Sequence, residues 1–460
     1  MNAPRMSEDQ RLPDPAATTA RLAAVDQKCL WHPFTQMQAW CDPSDPPLIV
    51  DRGKGVWLWD RDGNRYFDGN SSIWTNIHGH AHPRLTAALV SQAEKLAHAS
   101  FLGFSNEPAV RLAEALLKRL PGSALSRVFY SDDGSTAIEC ALKMAVQFFQ
   151  LSGQPERCEF VAFDRGYHGD TLGATSLGGI PSMHGRFHHL GLRTHHCTDA
   201  ADLTAMPEER AATVAAVVIE PLIQGAAGMR LWPHGMLREL RDWCDRHGAL
   251  LVFDEVMTGF GRTGTLFACE QEGVWPDLLC LAKGLTGGCL PLAATVATER
   301  IFSAFLGRFD EQRTFYYGHS YCGNPLACAV ALASLETFDR EAVLDALPAK
   351  IEVFSRLLAG LKARLPRHVG DIRQCGLIAG IDLMEDAAGG AAFDWRAQTG
   401  ARVCRAARVH GLLTRPILDT VVLMPPLCVT EDELRHAVDA LGEAMIETLL
   451  GEGQRGLSGF

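Results

Sequence analysis

The stretch Leu250-Leu251-Val252-Phe253-Asp254-Glu255 places an apolar run of four residues directly before two carboxylates. A short continuous apolar run is typical of a strand that is buried on both faces of a parallel sheet. Ligands of open α/β sheets bind just beyond the carboxyl ends of such strands. Asp254 is therefore a candidate ligand-binding residue, although a carboxylate that only caps a loop fits the same position.

The sequence before this stretch repeats the alternation of strands and helices. Apolar runs at 159–163 and 214–219 alternate with helical patterns such as 137–149 and 237–247. Strands that alternate with helices in this way indicate an α/β fold, with a mostly parallel sheet that helices cover on both faces.

Changes in this pattern divide the chain into four predicted parts. The first part is an N-terminal tail at residues 1–27, which are rich in Pro, Ala and Asp. The second part, residues 28–84, is a segment that contributes to a small domain. Residues 85–330 predict the large domain. Residues 331–460 predict a smaller α+β domain, with a helix at 341–365 that is broken or kinked at Pro348, strands at 378–383 and 421–424, and a helix at 431–450.

Composition excludes several classes of protein. The chain has 460 residues, of which 47% are hydrophobic and 21% charged, so it is too apolar for a disordered protein and long enough for a large core. A net charge of −11 without a Lys/Arg-rich run disfavours nucleic acid and anionic membranes as partners. No apolar run approaches the length that a bilayer requires. The 14 cysteines lack a C-x-x-C pair, and the N-terminus lacks an apolar signal region, which together favour a reduced, cytoplasmic protein.

Lysine is scarce in this chain, and one lysine stands apart. Lys283 follows the apolar run 278–282 and precedes Gly284, whereas the other seven lysines lie on polar helix faces or in turns. Burial lowers the pKa of an amine and makes it nucleophilic near neutral pH. Lys283 is therefore a candidate catalytic residue, although a lysine that extends from a strand end into solvent fits the same pattern.

The segment 131–139 joins a predicted strand to a predicted helix. Thr136 and Glu139 fit a capping box, and Gly134 permits a tight turn. The free N–H groups at such a helix N-terminus bind phosphate. A helix that begins here without a ligand remains the alternative.

Together, these three features match the requirements of pyridoxal phosphate. That cofactor needs a lysine that binds it covalently, a carboxylate that pairs with its ring nitrogen, and a helix N-terminus that holds its phosphate. The segment 259–264 fits the dinucleotide-binding pattern G-x-G-x-x-G, but it neither follows a strand directly nor opens a helix. A nicotinamide-dependent oxidoreductase is therefore a minor alternative. The spacing of His78, His80 and His82 fits no zinc site, and no metal is predicted.

The sequence resembles the class III aminotransferases, which are pyridoxal phosphate enzymes of fold type I, from about residue 28 to residue 450. The segments 254–256, 258–264 and 282–284 carry this resemblance. It implies a large domain with a seven-stranded, mostly parallel sheet, a smaller α+β domain, and a homodimer with shared active sites. Further segments are similar to the branch that aminates 8-amino-7-oxononanoate to 7,8-diaminononanoate in biotin synthesis, namely 31–37, 68–72, 78–80, 129–131, 134–136, 141–145, 166–171 and 413–416.

The resemblance also implies a role for individual residues. Lys283 would bind the cofactor and carry the proton, and Tyr167 would stack on the cofactor ring and contact substrate. Arg415 would hold the carboxylate of the keto acid. The remaining cofactor contacts would be Gly134, Ser135, Asp254, Val256, His319 and Ser320, and the remaining substrate contacts Ile73, Trp74 and Gly318; residues 318–320 would come from the other subunit.

The amino donor is left open between S-adenosylmethionine and lysine. Enzymes that use S-adenosylmethionine usually carry Trp-Trp where this chain has Ile73-Trp74, Tyr where it has Phe34, and Gly-Pro-Thr where it has residues 318–320. Of these departures, Ile73 and residues 318–320 are more similar to the branch that uses lysine. A class III enzyme that transfers amino groups from ω-amino acids to pyruvate is the main alternative function, because the same cofactor residues would serve it.

Overall fold

The computed structural model describes residues 18–451 of the chain. Eighteen strands lie in this part, and each is numbered in chain order. They are β1 (Val50–Lys54), β2 (Trp57–Asp60), β3 (Arg65–Asp68), β4 (Leu125–Ser131), β5 (Glu159–Phe163), β6 (Thr194–Cys197), β7 (Val214–Ile219), β8 (Ile223–Gln224), β9 (Arg230–Leu231), β10 (Leu250–Asp254), β11 (Leu278–Leu281), β12 (Ala293–Thr298), β13 (Val369–Cys375), β14 (Ile378–Asp386), β15 (Ala391–Ala392), β16 (Leu412–Leu413), β17 (Pro416–Ile417) and β18 (Thr420–Leu423).

The described residues also form 16 helices in addition to short 3₁₀ turns. They are α1 (Thr19–Cys29), α2 (Met37–Trp40), α3 (Ser71–Trp74), α4 (Pro83–Lys95), α5 (Glu107–Leu117), α6 (Gly134–Leu151), α7 (Leu172–Leu177), α8 (Pro181–His184), α9 (Ala200–Thr204), α10 (Glu208–Ala211), α11 (Met236–His247), α12 (Glu299–Ala304), α13 (Pro325–Arg340), α14 (Val343–Arg364), α15 (Thr399–Ala407) and α16 (Glu431–Leu450).

A seven-stranded sheet forms the centre of the large domain, with the strand order β4-β12-β11-β10-β7-β5-β6. Only β12 runs against its neighbours; the other pairings are parallel. The prediction of an α/β fold with a mostly parallel sheet is therefore confirmed. The carboxyl ends of β4, β5, β7, β10 and β11 consequently lie at one edge of this sheet.

The apolar run at 250–253 is continuous because both faces of β10 are buried. Leu251 and Phe253 belong to the core that also contains Leu237 and Trp243 of α11. Leu250 and Val252 belong to a second core on the opposite face, which α6 covers. Successive side chains of a strand point to opposite faces of the sheet. A strand between two helical layers therefore needs apolar residues on both faces, which makes its sequence continuously apolar.

Within the described residues, three smaller sheets accompany the large one, and the smallest of them is the pair of β8 and β9. The first has the strand order β1-β2-β3-β16. In it, β3 from the N-terminal part of the chain pairs in parallel with β16 from the C-terminal part, with Phe67 opposite Leu412. The second sheet contains β13, β14, β18 and β17, with β15 added to β14. The first sheet thus connects residues near both ends of the chain.

Two details differ from the sequence-based expectations. The helix predicted at 341–365 is not broken at Pro348, because α14 continues through this residue. A proline in the second turn removes only one backbone hydrogen bond there. Residues 19–27 of the predicted tail lie in α1, and residues 1–17 lie outside the described part. The predicted domain boundaries at 85 and 331 stay a prediction.

Two further observations concern the class of protein. Among residues 18–451, no helix is both long enough and apolar enough to span a bilayer. All 14 cysteines fall within this range, and each is a free thiol.

Candidate active site

A cavity of about 750 Å³ opens at the edge where the parallel strands end. Loops that follow β4, β5, β7, β10 and β11 supply its floor. Segments near the two ends of the chain supply its walls, among them Phe34, Ile73 and Arg415. The described structure therefore places the candidate ligand site at the carboxyl ends of the strands, as the pattern around Asp254 predicts.

Asp254 and His168 form a buried pair on the floor of this cavity. Asp254 ends β10, and its Oδ2 lies 2.7 Å from Nδ1 of His168, while its Oδ1 accepts a hydrogen bond from the N–H of Val256. Burial lowers the pKa of His168, but the hydrogen bond and the charge of Asp254 outweigh it, so the pKa is raised. His168 thus holds the carboxylate of Asp254 in place from the loop that follows β5.

Lys283 begins the turn that follows β11. Its φ of +45° is unusual for a residue with a side chain, and such strain is typical of functional sites. Its Nζ lies 4.9 Å from the ring centre of Trp74. Burial lowers the pKa of Lys283, which the negative charges of Asp254 and Glu220 only partly offset. Its amine is therefore closer to the unprotonated, nucleophilic form than that of an exposed lysine.

Glu220 is a third ionisable group on the floor, and it comes directly after β7. Its carboxylate accepts hydrogen bonds from the N–H groups of Gly225 and Tyr167, at 2.9 and 3.2 Å. Burial raises the pKa of Glu220 to about 7, and the charge of His168 opposes this shift. Glu220 thus holds the loop that carries Tyr167 against the end of β7.

The N-terminus of α6 forms one end of the cavity and contains Gly134 and Ser135. A Cβ atom on Gly134 would lie 2.6 Å from Cγ1 of Val256, so only glycine lets the helix approach this close. The Oγ of Ser135 accepts a hydrogen bond from the N–H of Asp170. The first N–H groups of a helix have no partner within the helix, which makes this end suitable for phosphate.

The predicted capping box of α6 is wrong in its members. Asp133 is the N-cap, and its side chain accepts from the N–H of Thr136, whose hydroxyl reaches back to the N–H of Asp133. Glu139 instead accepts a hydrogen bond from the N–H of Gly173. A run of Asp, Ser and Thr offers several capping residues, and the helix begins one turn earlier than Thr136 would allow.

Tyr167 lies in the loop after β5 and lines the cavity. Its hydroxyl donates to Oδ2 of Asp170 at 2.7 Å, and its ring stacks on His184 at 5.9 Å. Burial, followed by this hydrogen bond, raises the pKa of Tyr167 well above its ordinary value. The phenol therefore stays protonated.

The walls of the cavity are mostly apolar. Ile73 is 48% exposed and faces this space together with Phe34, and the ring of Phe34 meets that of Tyr167 edge-on at 6.4 Å. Arg415 lies at the wall, where its Nη2 donates to the carbonyl oxygen of Phe34. Nine of the twelve residues predicted for the site from the sequence line this one cavity: Ile73, Trp74, Gly134, Ser135, Tyr167, Asp254, Val256, Lys283 and Arg415.

Residues 318–320 do not line the cavity of their own chain. His319 instead pairs with Asp132, whose Oδ2 lies 2.9 Å from its Nδ1. The contribution of Gly318, His319 and Ser320 to the site of a second subunit stays a prediction.

The glycine-rich segment and the three clustered histidines, which the sequence offered as nucleotide-binding and metal-binding alternatives, have structural roles in this fold. Arg262, in the glycine-rich segment 259–264, is fully buried, and its guanidinium donates to the carbonyl oxygens of Asn76 and Pro425. His78 and His82 pair with Ser334 and Glu341, respectively. His80 pairs with Asp68. Within residues 18–451, no three metal-binding side chains gather into a site.

The sequence reasoning missed His168 and Glu220. Glu220 follows the apolar run 214–219 in the same way that Asp254 follows 250–253, so the same rule would have found it. His168 carries no such signal, because only the folded sheet brings it to Asp254.

Comparison with known proteins agrees with this geometry. Residues 41–445 match the family described as aminotransferase class-III. The chain is 46% identical to the adenosylmethionine-8-amino-7-oxononanoate aminotransferase of Geobacter sulfurreducens, over 95% of this chain and all of that protein. It is 47% identical to the protein of the same name from Nitratidesulfovibrio vulgaris, over 94% of this chain and 83% of the relative.

Solved structures show the same fold. The crystal structure of adenosylmethionine-8-amino-7-oxononanoate aminotransferase from Methanocaldococcus jannaschii superimposes with a TM-score of 0.90 at 39% identity, covering 94% of this chain and 100% of that one. An amine transaminase from an uncultivated Pseudomonas species, solved with pyridoxal phosphate bound, has a TM-score of 0.82 at 36% identity, covering 91% and 99% of the two chains.

Proposed function

Because this chain belongs to the class III aminotransferases, we propose that it transfers an amino group to 8-amino-7-oxononanoate and so forms 7,8-diaminononanoate for biotin synthesis. The observation that carries this proposal is one cavity containing Lys283, Asp254 and the N-terminus of α6, in a chain whose relatives bear the name of that reaction. The amino donor is S-adenosylmethionine or lysine.

The residues of the cavity fit pyridoxal phosphate. The N–H groups of Gly134 and Ser135 would hold the phosphate, and the missing Cβ of Gly134 leaves room for this approach. Asp254 would pair with the ring nitrogen, and Val256 and Tyr167 would cover the two faces of the ring. When bound, the cofactor supplies an aldehyde that takes up amino groups and a ring that withdraws electrons from the carbon losing its proton.

Lys283 would act first as a nucleophile and then as a proton carrier. Burial lowers the pKa of its amine, which favours the unprotonated, nucleophilic form of Nζ. When Nζ is not bound to the cofactor, it would take a proton from the substrate carbon that bears the amino group. It would then deliver this proton to the cofactor. His168 would hold the carboxylate of Asp254 in its orientation during these steps.

The walls of the cavity would select and orient the substrate. Phe34, Ile73 and Met183 present apolar surface that excludes water and fits the carbon chain of the keto acid. Arg415 would bind its carboxylate, since a guanidinium holds a carboxylate through two parallel hydrogen bonds.

We also propose that the enzyme is a homodimer in which residues 318–320 reach the site of the other subunit. Gly318 and Ser320 are exposed and lie outside the cavity of their own chain, so they are accessible to a second subunit. Their sequence, Gly318-His319-Ser320, together with Ile73, keeps lysine as a donor candidate beside S-adenosylmethionine.

The test is the visible absorption of the purified enzyme with pyridoxal phosphate. Lys283 bound to the cofactor should give a visible band, and the accepted donor should bleach it when S-adenosylmethionine and lysine are added to separate samples. Addition of 8-amino-7-oxononanoate should then restore the band. Restoration by pyruvate but not by 8-amino-7-oxononanoate would overturn the proposal in favour of an ω-amino acid:pyruvate aminotransferase.

Two variants make this test specific. Lys283→Ala should lose both the lysine-dependent band and turnover. Lys350→Ala is the matched control, because Lys350 also has a pKa lowered by burial but lies outside the cavity, where its Nζ donates to the carbonyl oxygen of Leu427. Full turnover by Lys283→Ala would contradict the proposed mechanism.

A further inference from the structure

Four consecutive residues at the edge of the cavity form a left-handed turn. Ser71, Ser72, Ile73 and Trp74, the residues of α3, have φ angles of +45°, +48°, +64° and +71°. The N–H of Trp74 donates to the carbonyl oxygen of Asn70, and that of Thr75 to the carbonyl oxygen of Ser71. A left-handed turn brings each Cβ too close to the following carbonyl oxygen, and none of the four residues is a glycine.

This turn determines where two residues of the cavity lie. It directs Ile73 and Trp74 into the cavity, and it places the ring of Trp74 4.9 Å from Nζ of Lys283. The side chains of a right-handed turn would leave the same backbone position in different directions. The unfavourable backbone conformation is therefore a condition for the contact between Trp74 and Lys283.

One buried carboxylate holds the start of the turn. Asp68, only 3% exposed, ends β3 and accepts hydrogen bonds from both the N–H and the hydroxyl of Ser72, each at 2.8 Å. Its Oδ2 also lies 2.8 Å from Nε2 of His80. Hydrogen bonds to a buried carboxylate are stronger than those to a neutral acceptor. Asp68 thus fixes Ser72 in the left-handed conformation.

His80 is held in place from a different part of the fold. Its N–H donates to the carbonyl oxygen of Gly55, and the N–H of Gly55 donates to the carbonyl oxygen of His80. A Cβ on Gly53 would lie 2.7 Å from Cβ of His80, so β1 packs closely against this residue. His80 itself does not line the cavity.

We propose that Asp68 and His80 are positioning residues, which hold Ser71–Trp74 in its left-handed turn and thereby place Ile73 and Trp74 against the substrate and Lys283. This inference rests on the proposed function only in the choice of substrate for the assay. The first residue of the turn has a support that does not involve His80, because the hydroxyl of Ser71 donates to the carbonyl oxygen of Met424. Loss of His80 should therefore loosen the turn without unfolding the protein.

The first pair of variants is His80→Ala and His80→Gln. Because Oδ2 of Asp68 then keeps only the hydroxyl of Ser72 as a donor, His80→Ala should raise the KM for the amino donor about tenfold. It should change kcat less, because binding is affected before chemistry. The side-chain amide of glutamine can donate a hydrogen bond to Oδ2 in place of Nε2, so His80→Gln should stay within about threefold of wild type. Thermal unfolding of each variant is measured in parallel.

The second pair distinguishes positioning from general stability. Glycine adopts positive φ without penalty. Ser72→Gly introduced into His80→Ala should therefore bring the KM most of the way back to the wild-type value. Ser72→Ala in the same background removes the same hydroxyl but keeps the Cβ, so it should not restore the KM. An unchanged KM in His80→Ala, or equal rescue by both double variants, would overturn the proposal.

Failure of this inference can be told apart from failure of the proposed function. All variants are compared with wild type in the bleaching of the visible band by whichever amine the wild-type enzyme accepts. If wild type accepts an amine but not 8-amino-7-oxononanoate, the proposed substrate is wrong, while the ratio of KM values between the variants still tests the positioning role.

Discussion

Nδ1 of His168 lies 2.7 Å from Oδ2 of Asp254, and both residues are buried, with at most 5% of their surface exposed. The two residues come from loops after β5 and at the end of β10, so the pair connects two parts of the cavity floor. A buried ion pair adds little over an apolar pair of the same shape, but removal of one partner leaves the other charge buried and alone.

His168→Ala should therefore weaken both the fold and the cofactor site. Asp254 would lose its charged partner, and breaking such a pair costs about 3–5 kcal/mol in the free energy of unfolding. His168→Asn is the matched control, because its amide nitrogen can occupy the place of Nδ1 and donate to Asp254 without a charge. The measurements are urea unfolding and the affinity for pyridoxal phosphate. Equal stability of the alanine variant and wild type would contradict the role of this pair.

Gly134→Ala should lower the affinity for pyridoxal phosphate, because the new Cβ would lie 2.6 Å from Val256 and push the helix N-terminus away. Val256→Ala introduced into this variant removes the obstructing methyl groups and should restore part of the affinity. Gly360→Ala is the control for helix propensity, since a Cβ there meets no atom within 4 Å and should stabilise α14 by up to about 1 kcal/mol. Equilibrium dialysis with the cofactor measures the affinity.

Glu255 predicts a pH dependence of stability that does not involve the cavity. Burial raises its pKa from 4.5 to about 7, against the hydrogen bonds that it accepts from the N–H groups of Cys269 and Ala268. Between pH 4.5 and 7, the folded protein keeps a proton that the unfolded chain has released. The stabilisation is complete below pH 4.5 and is lost as the pH rises through about 7.

Glu255→Gln should remove this dependence. The quantity to compare is the free energy of unfolding of the variant minus that of wild type. This difference should rise by about 3 kcal/mol from pH 4 to pH 8, whatever its size at pH 4. Glu352→Gln is the control, because Glu352 lies exposed in an ion pair with Arg356. A difference between Glu255→Gln and wild type that does not change with pH would contradict the prediction.

Asp254 and Lys283 could be predicted because each follows an apolar run, and such a run indicates a buried strand whose end meets ligands. Arg415 was predicted from resemblance alone. His168 could not be predicted from its neighbours in the chain, since its role depends on a carboxylate in another loop. Local patterns therefore reveal residues at strand ends, while pairs between loops need the folded sheet.

The left-handed turn at Ser71–Trp74 could not be predicted from local sequence preferences either. Ser-Ser-Ile-Trp contains neither glycine nor asparagine, the residues that adopt positive φ most readily, and isoleucine disfavours it strongly. Contacts with Asp68 and Met424 impose the turn. Tertiary contacts here override local preference, as they do at functional sites.

Arg415→Ala should raise the KM for 8-amino-7-oxononanoate about 10- to 100-fold, which corresponds to about 1–3 kcal/mol of lost binding, and lower kcat much less. Arg415→Lys should fall between this variant and wild type, because an ammonium group cannot make two parallel hydrogen bonds to a carboxylate. Steady-state kinetics with the keto acid as the varied substrate decide this. An unchanged KM in the alanine variant would show that the carboxylate binds elsewhere.

The parallel pairing of β3 with β16 has a consequence for how the protein is made. Phe67 is synthesised long before its partner Leu412, because the whole large sheet lies between them in the chain. Until then β3 has an open edge, which can pair with other chains, and contacts between distant parts of a chain form slowly. Asp68 lies opposite Leu413 in this pairing, and Arg415 follows β16, so the growing chain should complete the cavity wall only after β16 has been synthesised. Nascent chains that stall before residue 412 should consequently need protection from aggregation, and a chaperone that covers the edge of β3 would supply it.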